Sequence, residues 1–374
     1  MQKDEYYMSM AIKLAQKGRG WTNPNPMVGA VIVKDAVVLG EGYHQRFGGA
    51  HAEVEAIKQA YQNGCQNLIG ATLYVTLEPC SHFGKTPPCV DRIIQEGFSR
   101  VVIGMIDPNP LVCGQGIQKL KKQGIEVLVG VLNQDCERLN EIFLYGIKNQ
   151  ISYVHYKTAM TLDGKIRTVA KQSQWISCEE SRREVQEMRS IHKGILVGVQ
   201  TVCEDDPKLT CRLDSCRQPV RIIVDSTLRI PKMSYVVQSA KEYPTLIATL
   251  KSPDQYPDWM KDAGVELITV REKNGTCDLR HLMEETYKKG IDSILLEGGP
   301  TLAASAFEEG IVCFFTGYYA PLFFGGEVAT GPIGGAGVNQ IKEAYQLEEM
   351  KVSFCGKDLK VEGKVKYPDV YWNH

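Results

Sequence analysis

The 374-residue chain carries 43% apolar and 23% charged residues, an ordinary globular composition long enough for two domains. Its formal net charge of −1 leaves no basic footprint for a polyanion, which argues against nucleic acid as the main partner. Twelve cysteines without a repeating framework, no apolar run of membrane-spanning length and no leader ahead of the first helix point to a reducing cytoplasm.

Asp4 can cap a first helix whose apolar face is Met8, Ala11, Ile12 and Ala15, with Gly18 as its stop. A proline-rich loop, Trp21 to Pro26, follows. Residues 27–33 and 37–41 read as a hairpin turning at Lys34-Asp35. Val54, Ile57, Ala60 and Tyr61 then have helical spacing, and His51 and Glu53 stand at its start. A strand over 71–77 delivers Cys80, and Cys89 opens a helix over 89–96 that stops at Gly97. Strand 101–106, helix 116–122, strand 125–131 and a last helix from Asp135 through Leu139, Ile142, Phe143 and Gly146 complete the half. A hairpin followed by alternating helices and strands predicts a three-layer α/β/α sandwich.

His51-x-Glu53 followed by Pro79-Cys80 and then Cys89 is the residue set that zinc-dependent base deamination needs. One imidazole and two thiolates supply three ligands and leave a fourth position open for water, whose pKa the metal lowers. Glu53, not a ligand, moves the proton from water to the leaving amine. Residues two apart do not share a helix face, so His51 and Glu53 can converge only at a helix start. A structural zinc would more often have four ligands, with cysteines paired at close spacing.

Three further residues of this half are ambiguous by themselves. Asn25 can read a donor and an acceptor on a pyrimidine edge, or merely turn the chain between two prolines. His44 can be a structural histidine or a substrate contact. Lys85, between the two cysteines, suits a phosphate or is a solvated loop charge.

The second half is again α/β, with a mostly parallel sheet. Strands are predicted over 152–158, 192–199, 221–225, 245–250, 266–270 and 291–297, and in the apolar run 313–324. Helix 179–190 turns Val185 and Met188 inward and Arg182 and Arg189 elsewhere, and helix 279–288 separates two of the strands. Glu297-Gly298-Gly299 precedes a helix over 302–309, where backbone N–H groups could approach a phosphate; a plain tight turn reads equally well. No Gly-x-Gly-x-x-Gly supports a Rossmann assignment.

Asn25-Pro26-Met27-Val28-Gly29-Ala30-Val31, Gly49-Ala50-His51-Ala52-Glu53, Leu77-Glu78-Pro79-Cys80-Ser81-His82, Lys85-Thr86-Pro87-Pro88-Cys89 and Asp107-Pro108-Asn109-Pro110 closely resemble the deaminase half of the bifunctional deaminase/reductase family of riboflavin biosynthesis. Lys157-x-Ala159, Leu162-Asp163-Gly164, Ser173-Gln174-Trp175-Ile176, the run from Gly198 through Thr201, Asp205 and Leu209-Thr210, and Glu297-Gly298-Gly299 resemble its reductase half. The resemblance implies a cytidine-deaminase-like domain over 1–147 and a dihydrofolate-reductase-like domain over 148–374. It implies a hydrolase that deaminates 2,5-diamino-6-ribosylamino-4(3H)-pyrimidinone 5′-phosphate with one zinc per chain. An NADPH-dependent oxidoreductase then reduces the ribosyl to a ribityl chain.

By that resemblance Asn25, His44 and Lys85 would contact the deaminase substrate. Ser173, Arg189, Leu209, Arg212 and Glu297 would hold the ribosyl phosphate intermediate. Ala159, Trp175, Thr201, Asp205, Ser226, Gly299, Pro300, Thr301, Leu302, Ala303, Ala304 and Ser305 would line NADPH. Lys157 is the candidate proton donor, with a salt bridge as its plain alternative. Pro300-Thr301-Leu302-Ala303 and Leu322 depart from the family's pattern. The expected partners are a small phosphorylated pyrimidine and further copies of the same chain, with no nucleic acid and no membrane. A nucleic-acid base deaminase with an accessory binding domain is the alternative, disfavoured by the near-zero charge and the Cys-Ser-His insertion.

Overall fold

The computed structural model describes residues 2–81, 87–109 and 113–368. The chain divides into two compact units, Met1–Asn149 and Gln150–His374. In the first, α1 (Gln2–Gln16) precedes the hairpin β1 (Gly29–Lys34) and β2 (Val37–Tyr43). There follow α2 (Ala52–Gln62), β3 (Thr72–Leu77), α3 (Cys89–Gln95), β4 (Arg100–Met105), α4 (Gln115–Lys122), β5 (Glu126–Val129), α5 (Asn133–Leu139) and α6 (Glu141–Asn149).

The sheet order is β2-β1-β3-β4-β5. β1 runs antiparallel to β2 and β3, and β3, β4 and β5 are parallel. Side chains alternate across a strand, so β1 serves two cores. Ala30 and Ile32 pack with Ala56 and Ile57 of α2 and Ile93 of α3. Val31 and Val33 pack with Met8 and Ala11 of α1 and Cys136 of α5. Both faces are therefore covered, which makes the three layers. Each fully buried Val, Ile or Met among them contributes about 1.5–3 kcal/mol relative to exposure.

The helix expected from Asp135 onward is two helices. It breaks at Asn140, whose side-chain oxygen accepts from Met27 N (2.8 Å) and whose amide donates to Met27 O (3.0 Å). That long-range pairing ties the end of the unit to the loop before β1. Strand 125–131 is shorter than expected, because only Glu126–Val129 pairs with β4.

The second unit contains β6 (Tyr153–Thr161), α7 (Glu179–Ile191), β7 (Gly194–Gly198), α8 (Val199–Asp205), β8 (Val220–Val224), α9 (Tyr235–Gln238), β9 (Thr245–Thr249), α10 (Asp258–Asp262) and β10 (Glu266–Thr269). A small ribbon, β11 (Glu272–Lys273) and β12 (Thr276–Cys277), leads to α11 (Leu279–Lys288), β13 (Ser293–Leu296), α12 (Pro300–Glu308), β14 (Val312–Ala320), β15 (Gln346–Cys355) and β16 (Asp358–Lys366). The nine-stranded sheet has the order β10-β9-β8-β7-β13-β6-β14-β16-β15. Seven strands are parallel, and the β15–β16 hairpin adds an antiparallel edge.

The apolar run 313–324 is strand only to Ala320; Pro321 has no N–H to continue a ladder. Arg221 is fully buried in β8, and its guanidinium bonds Thr245, Ser239 and the carbonyls of Val236 and Tyr243. It fastens the connection between β8 and β9 from inside, a use of a charged residue that strand periodicity does not reveal.

Candidate active sites

In the first unit three chain segments converge at the ends of β3, α2 and α3. His51 is the N-cap of α2, Cys80 follows β3 and Cys89 is the first residue of α3. The His51 Nδ1 lies 3.2 Å from Cys89 Sγ and 3.5 Å from Cys80 Sγ. The three ligand atoms lie within 4.8 Å of one another, and no other His, Cys, Asp or Glu joins the group among the described residues. One nitrogen and two sulfurs at this spacing suit zinc, and a set of three leaves an open coordination position.

Two features favour thiolate here. The Cys89 backbone N–H donates to Cys80 Sγ at 3.3 Å, and both α2 and α3 present their N-terminal ends. The hydrogen bond between the two thiols lowers the Cys80 pKa and raises that of Cys89, so the pair favours one charge. Hydrogen bonding to Cys80 raises the His51 pKa against burial.

Glu53 is the second residue of α2, two positions after His51. It is 4% exposed, and burial raises its carboxyl pKa above the ordinary range. A carboxyl biased toward its protonated form is suited to take up a proton and return it. His44 is buried, its ring edge-on to that of His51 with centroids 5.8 Å apart. The His44 Nδ1 faces the Ala50 carbonyl at 2.9 Å, and Nε2 faces Asn25 Nδ2 at 3.3 Å. An amide donor faces Nε2 and a carbonyl faces Nδ1, so the ring donates through Nδ1 and accepts from Asn25 through Nε2, and burial lowers the His44 pKa in the direction of that neutral form. That leaves the Asn25 oxygen for a ligand. Asn25 and His44 are thus brought to the metal ligands; Lys85 lies outside the described residues.

Two supports were not read from the sequence. Gly40 and Gly42 let α2 lie directly on β2. A Cβ on Gly42 would come 2.3 Å from Ala52 O, and one on Gly40 would come 2.3 Å from Ala56 O. The signal was the stripe Ala52, Ala56, Ala60 opposite Gly-x-Gly. The second is Glu78, buried just ahead of Pro79-Cys80. Its carboxylate accepts from the backbone N–H groups of Asp107, Gly114, Gly116 and Ile117 at 2.9–3.3 Å. It holds the start of α4 against the strand end that delivers Cys80.

Glu78→Gln turns one acceptor oxygen into a donor facing those N–H groups. The expected cost is about 2–4 kcal/mol, together with faster zinc loss to a chelator. Unchanged chelation kinetics would remove Glu78 from the support of the site.

In the second unit a cleft of about 530 Å³ opens at the carboxyl ends of β8, β7 and β13. Open parallel sheets bind ligands at this edge. Ser173, Thr201, Asp205, Ser226, Gly299, Pro300, Thr301, Leu302 and Ser305 share its lining. Ala303 and Ala304 do not; they are 0% and 6% exposed and anchor α12 from below. Ala159, Trp175, Arg189, Leu209, Arg212 and Glu297 also lie outside this lining. Trp175 is 64% exposed under the Arg182 guanidinium, 4.8 Å from the ring centroid, so it is not core. Ala159 packs against the cluster of Val185, Met188, Leu295 and Tyr318.

A charge cluster joins the middle of β6, the last turn of α7 and the end of β13. Arg189 makes two parallel bonds to Glu297, at 2.8 and 3.0 Å, and Lys157 Nζ lies 3.6 Å from the same carboxylate. Arg189 is therefore turned inward, contrary to the helix-face expectation, because Glu297 supplies a buried partner across the sheet. Although burial opposes it, Arg189 and Lys157 hold the Glu297 pKa down at about 2. Burial lowers the Lys157 pKa, only partly countered by Glu297. Arg189 also donates to Thr210 O, which anchors the loop carrying Leu209 and Arg212. Leu209 is buried, with φ +54; Arg212 is exposed and makes no ion pair among the described residues.

Residues 152–361 match the family model "RibD C-terminal domain", and residues 1–105 match "Cytidine and deoxycytidylate deaminase zinc-binding region". Riboflavin biosynthesis protein RibD of Actinobacillus pleuropneumoniae is 46% identical over 94% of this chain and 93% of its own length. The chain belongs to the RibD family. RibD of Escherichia coli K12 is 40% identical over 96% of this chain and 98% of its own. A RibD structure from Acinetobacter baumannii covers 98% of this chain and 99% of its own, with a TM-score of 0.86 at 32% identity. A diaminohydroxyphosphoribosylaminopyrimidine deaminase/5-amino-6-(5-phosphoribosylamino)uracil reductase from Thermotoga maritima covers 97% and 98%, with a TM-score of 0.84 at 38% identity. Like other RibD proteins, the chain is a bifunctional deaminase and reductase of riboflavin biosynthesis. No helix among the described residues is long and apolar enough to cross a membrane.

Proposed function

We propose that His51, Cys80 and Cys89 hold zinc and Glu53 is the proton shuttle of a deamination at C2 of the diaminopyrimidine ribosyl phosphate. The observation that carries this is the convergence of the three ligand atoms beside one buried carboxyl. When bound, zinc supplies a Lewis acid that acidifies water. Glu53 takes a proton from water and gives it to the amine nitrogen, so the carbon gains oxygen and ammonia leaves. Asn25, oriented by neutral His44, reads the pyrimidine edge, and Lys85 holds the phosphate. Residues 1–147 form this domain and 148–374 the reductase.

NADPH fits the cleft of the second unit on two grounds. Gly299 and the first turn of α12 offer N–H groups to a diphosphate. Asp225, 1% exposed in the cleft lining, has an Oδ1 without a partner, which a ribose hydroxyl would satisfy. When bound, NADPH supplies a hydride for the ribose C1′. Arg189 and Glu297 position the ribosyl phosphate with Ser173, Leu209 and Arg212. Lys157, its pKa lowered by burial, gives the proton that the released ring oxygen needs. The cofactor runs along Ala159, Trp175, Thr201, Asp205, Ser226 and residues 299–305.

The enzyme acts in the cytoplasm as a homo-oligomer and does not bind nucleic acid. The charge of −1 supports the last point. Association is supported by edge strand β15, where Val352 and Phe354 are 57% and 77% exposed. A coupled assay tests the whole reading. Zinc-replete protein given the diaminopyrimidine ribosyl phosphate should release ammonia with or without NADPH, and should oxidise NADPH only after deamination. NADPH oxidation on the undeaminated substrate at an equal rate would overturn the assigned order.

A further inference from the structure

We propose that Cys211 and Cys216 are a reversible thiol–disulfide pair that sets the shape of the loop over 206–219 and so switches the reductase but not the deaminase. The bond rests on the geometry of the loop alone. Its effect on turnover rests on the reading of that loop as a holder of the ribosyl phosphate.

Both thiols are free, and the chain folds back between them. Leu213 to Ser215 bend and turn, with Ser215 in the left-handed region at φ +55. Gln218 clasps the returning chain. Its Oε1 accepts from Cys211 N at 2.9 Å, and its Nε2 donates to Cys211 O at 2.9 Å. The same Nε2 lies 3.7 Å from Cys216 Sγ. One side-chain amide therefore holds both cysteines, and the two thiols hydrogen-bond each other. Cys211 is 4% exposed, and Cys216 is half-buried. Burial, then the bond to Cys216, pushes the Cys211 thiol up to about 11. Cys216 is accordingly the sulfur that an outside reagent meets first.

The co-reactant is a low-molecular-weight disulfide. The Cys216 thiolate attacks one of its sulfurs, forms a mixed disulfide and releases one thiol, which carries off the Cys216 proton. The Cys211 thiolate then attacks Cys216 Sγ and expels the second thiol, which carries off the Cys211 proton. Two protein thiols are oxidised to one disulfide, and the reagent is reduced to two thiols.

The position of Cys211 links this bond to the reductase. Its thiol donates to Gln186 O of α7 at 3.4 Å. On one side of it Thr210 O accepts from Arg189 at 3.0 Å, and on the other Arg212 N donates to Gln186 Oε1 at 3.0 Å. Closure removes the S–H that Gln186 O accepts and draws Cys211 toward Cys216, between those two anchors. Leu209 and Arg212 follow it. A displacement of about 1 Å in groups that position a substrate can cost about a hundredfold in rate.

The test uses full-length, zinc-replete protein equilibrated with mixtures of reduced and oxidised glutathione, quenched with acid and mapped with trypsin. Lys208, Arg212 and Arg217 put the two cysteines on separate peptides, 209–212 and 213–217. The pair should appear as these two peptides joined, lighter by two hydrogens than their sum. In the oxidised protein kcat/KM for reduction of the deaminated intermediate should fall roughly 10- to 100-fold, with ammonia release within about twofold of the reduced protein. Dithiothreitol should restore it. Cys216→Ser should keep the wild-type reductase rate and ignore the oxidant. Peptides that never join, or a glutathione adduct on Cys216 alone, overturn the pair. Joined peptides with unchanged reductase kinetics overturn the switch. A reduced wild-type protein that oxidises no NADPH with the deaminated intermediate overturns the reductase reading and the switch with it, while the peptide map still decides the bond.

Discussion

Glu53→Gln should lower deamination by at least about a thousandfold while zinc stays bound and the reductase keeps working. The amide keeps the size of the side chain but cannot take a proton from water or return one to the amine. Zinc content should hold because the donor set is His51, Cys80 and Cys89. Stability should hold or rise slightly, because burial already disfavours the charged carboxylate and the amide removes that penalty. The decisive measurement is ammonia release beside zinc stoichiometry, with NADPH oxidation followed on the deaminated intermediate. Deaminase turnover within about tenfold of wild type would sink the proton-shuttle role.

Glu297→Gln should be the most costly single change in the second unit. It leaves Arg189 and Lys157 buried against an uncharged amide, where breaking such a pair costs about 3–5 kcal/mol. For a unit of this size the melting temperature should fall by about 6–20 °C. The affected transition can be recognised as the one that NADPH shifts upward. A change below about 1 kcal/mol would mean that water enters and screens the cluster.

The same carboxylate predicts an acid limit. Its pKa is depressed to about 2 in the folded protein, below the value near 4.5 of a free side chain. Its contribution is therefore complete above about pH 4.5 and is lost as the pH falls through about 2. The linked energy is roughly 3 kcal/mol. Unfolding of the second unit followed between those limits should show this slope in wild type and a shallower one in Glu297→Gln.

Much of this molecule could be read from the chain because its chemistry is local. His51 and Glu53 announce a helix start, since only there can residues two apart face one point. Cys89 announces another, after Pro87-Pro88. The central strands, such as β1, β3, β4, β7, β9 and β13, are near-continuous apolar runs because both of their faces are buried. Periodicity could not report partners that are distant in sequence. Arg189 has the spacing of an outward residue, and only Glu297, just beyond β13, explains its turn inward. Asn140 lies in a helical pattern, and only Met27, more than a hundred residues earlier, explains the break.

The sequence by itself therefore determined the main alternation of helices and strands as far as Ala320, the candidate zinc-ligand set with its carboxyl, and the family. Each of these rests on residue type and short spacing. Tertiary structure alone decided which charges are buried and paired, how closely α2 approaches β2 over Gly40 and Gly42, and what Glu78 holds in place. The reason is physical: a helix or strand is set largely by its neighbours in sequence, whereas a buried charge is stabilised only by the group that folding brings to it.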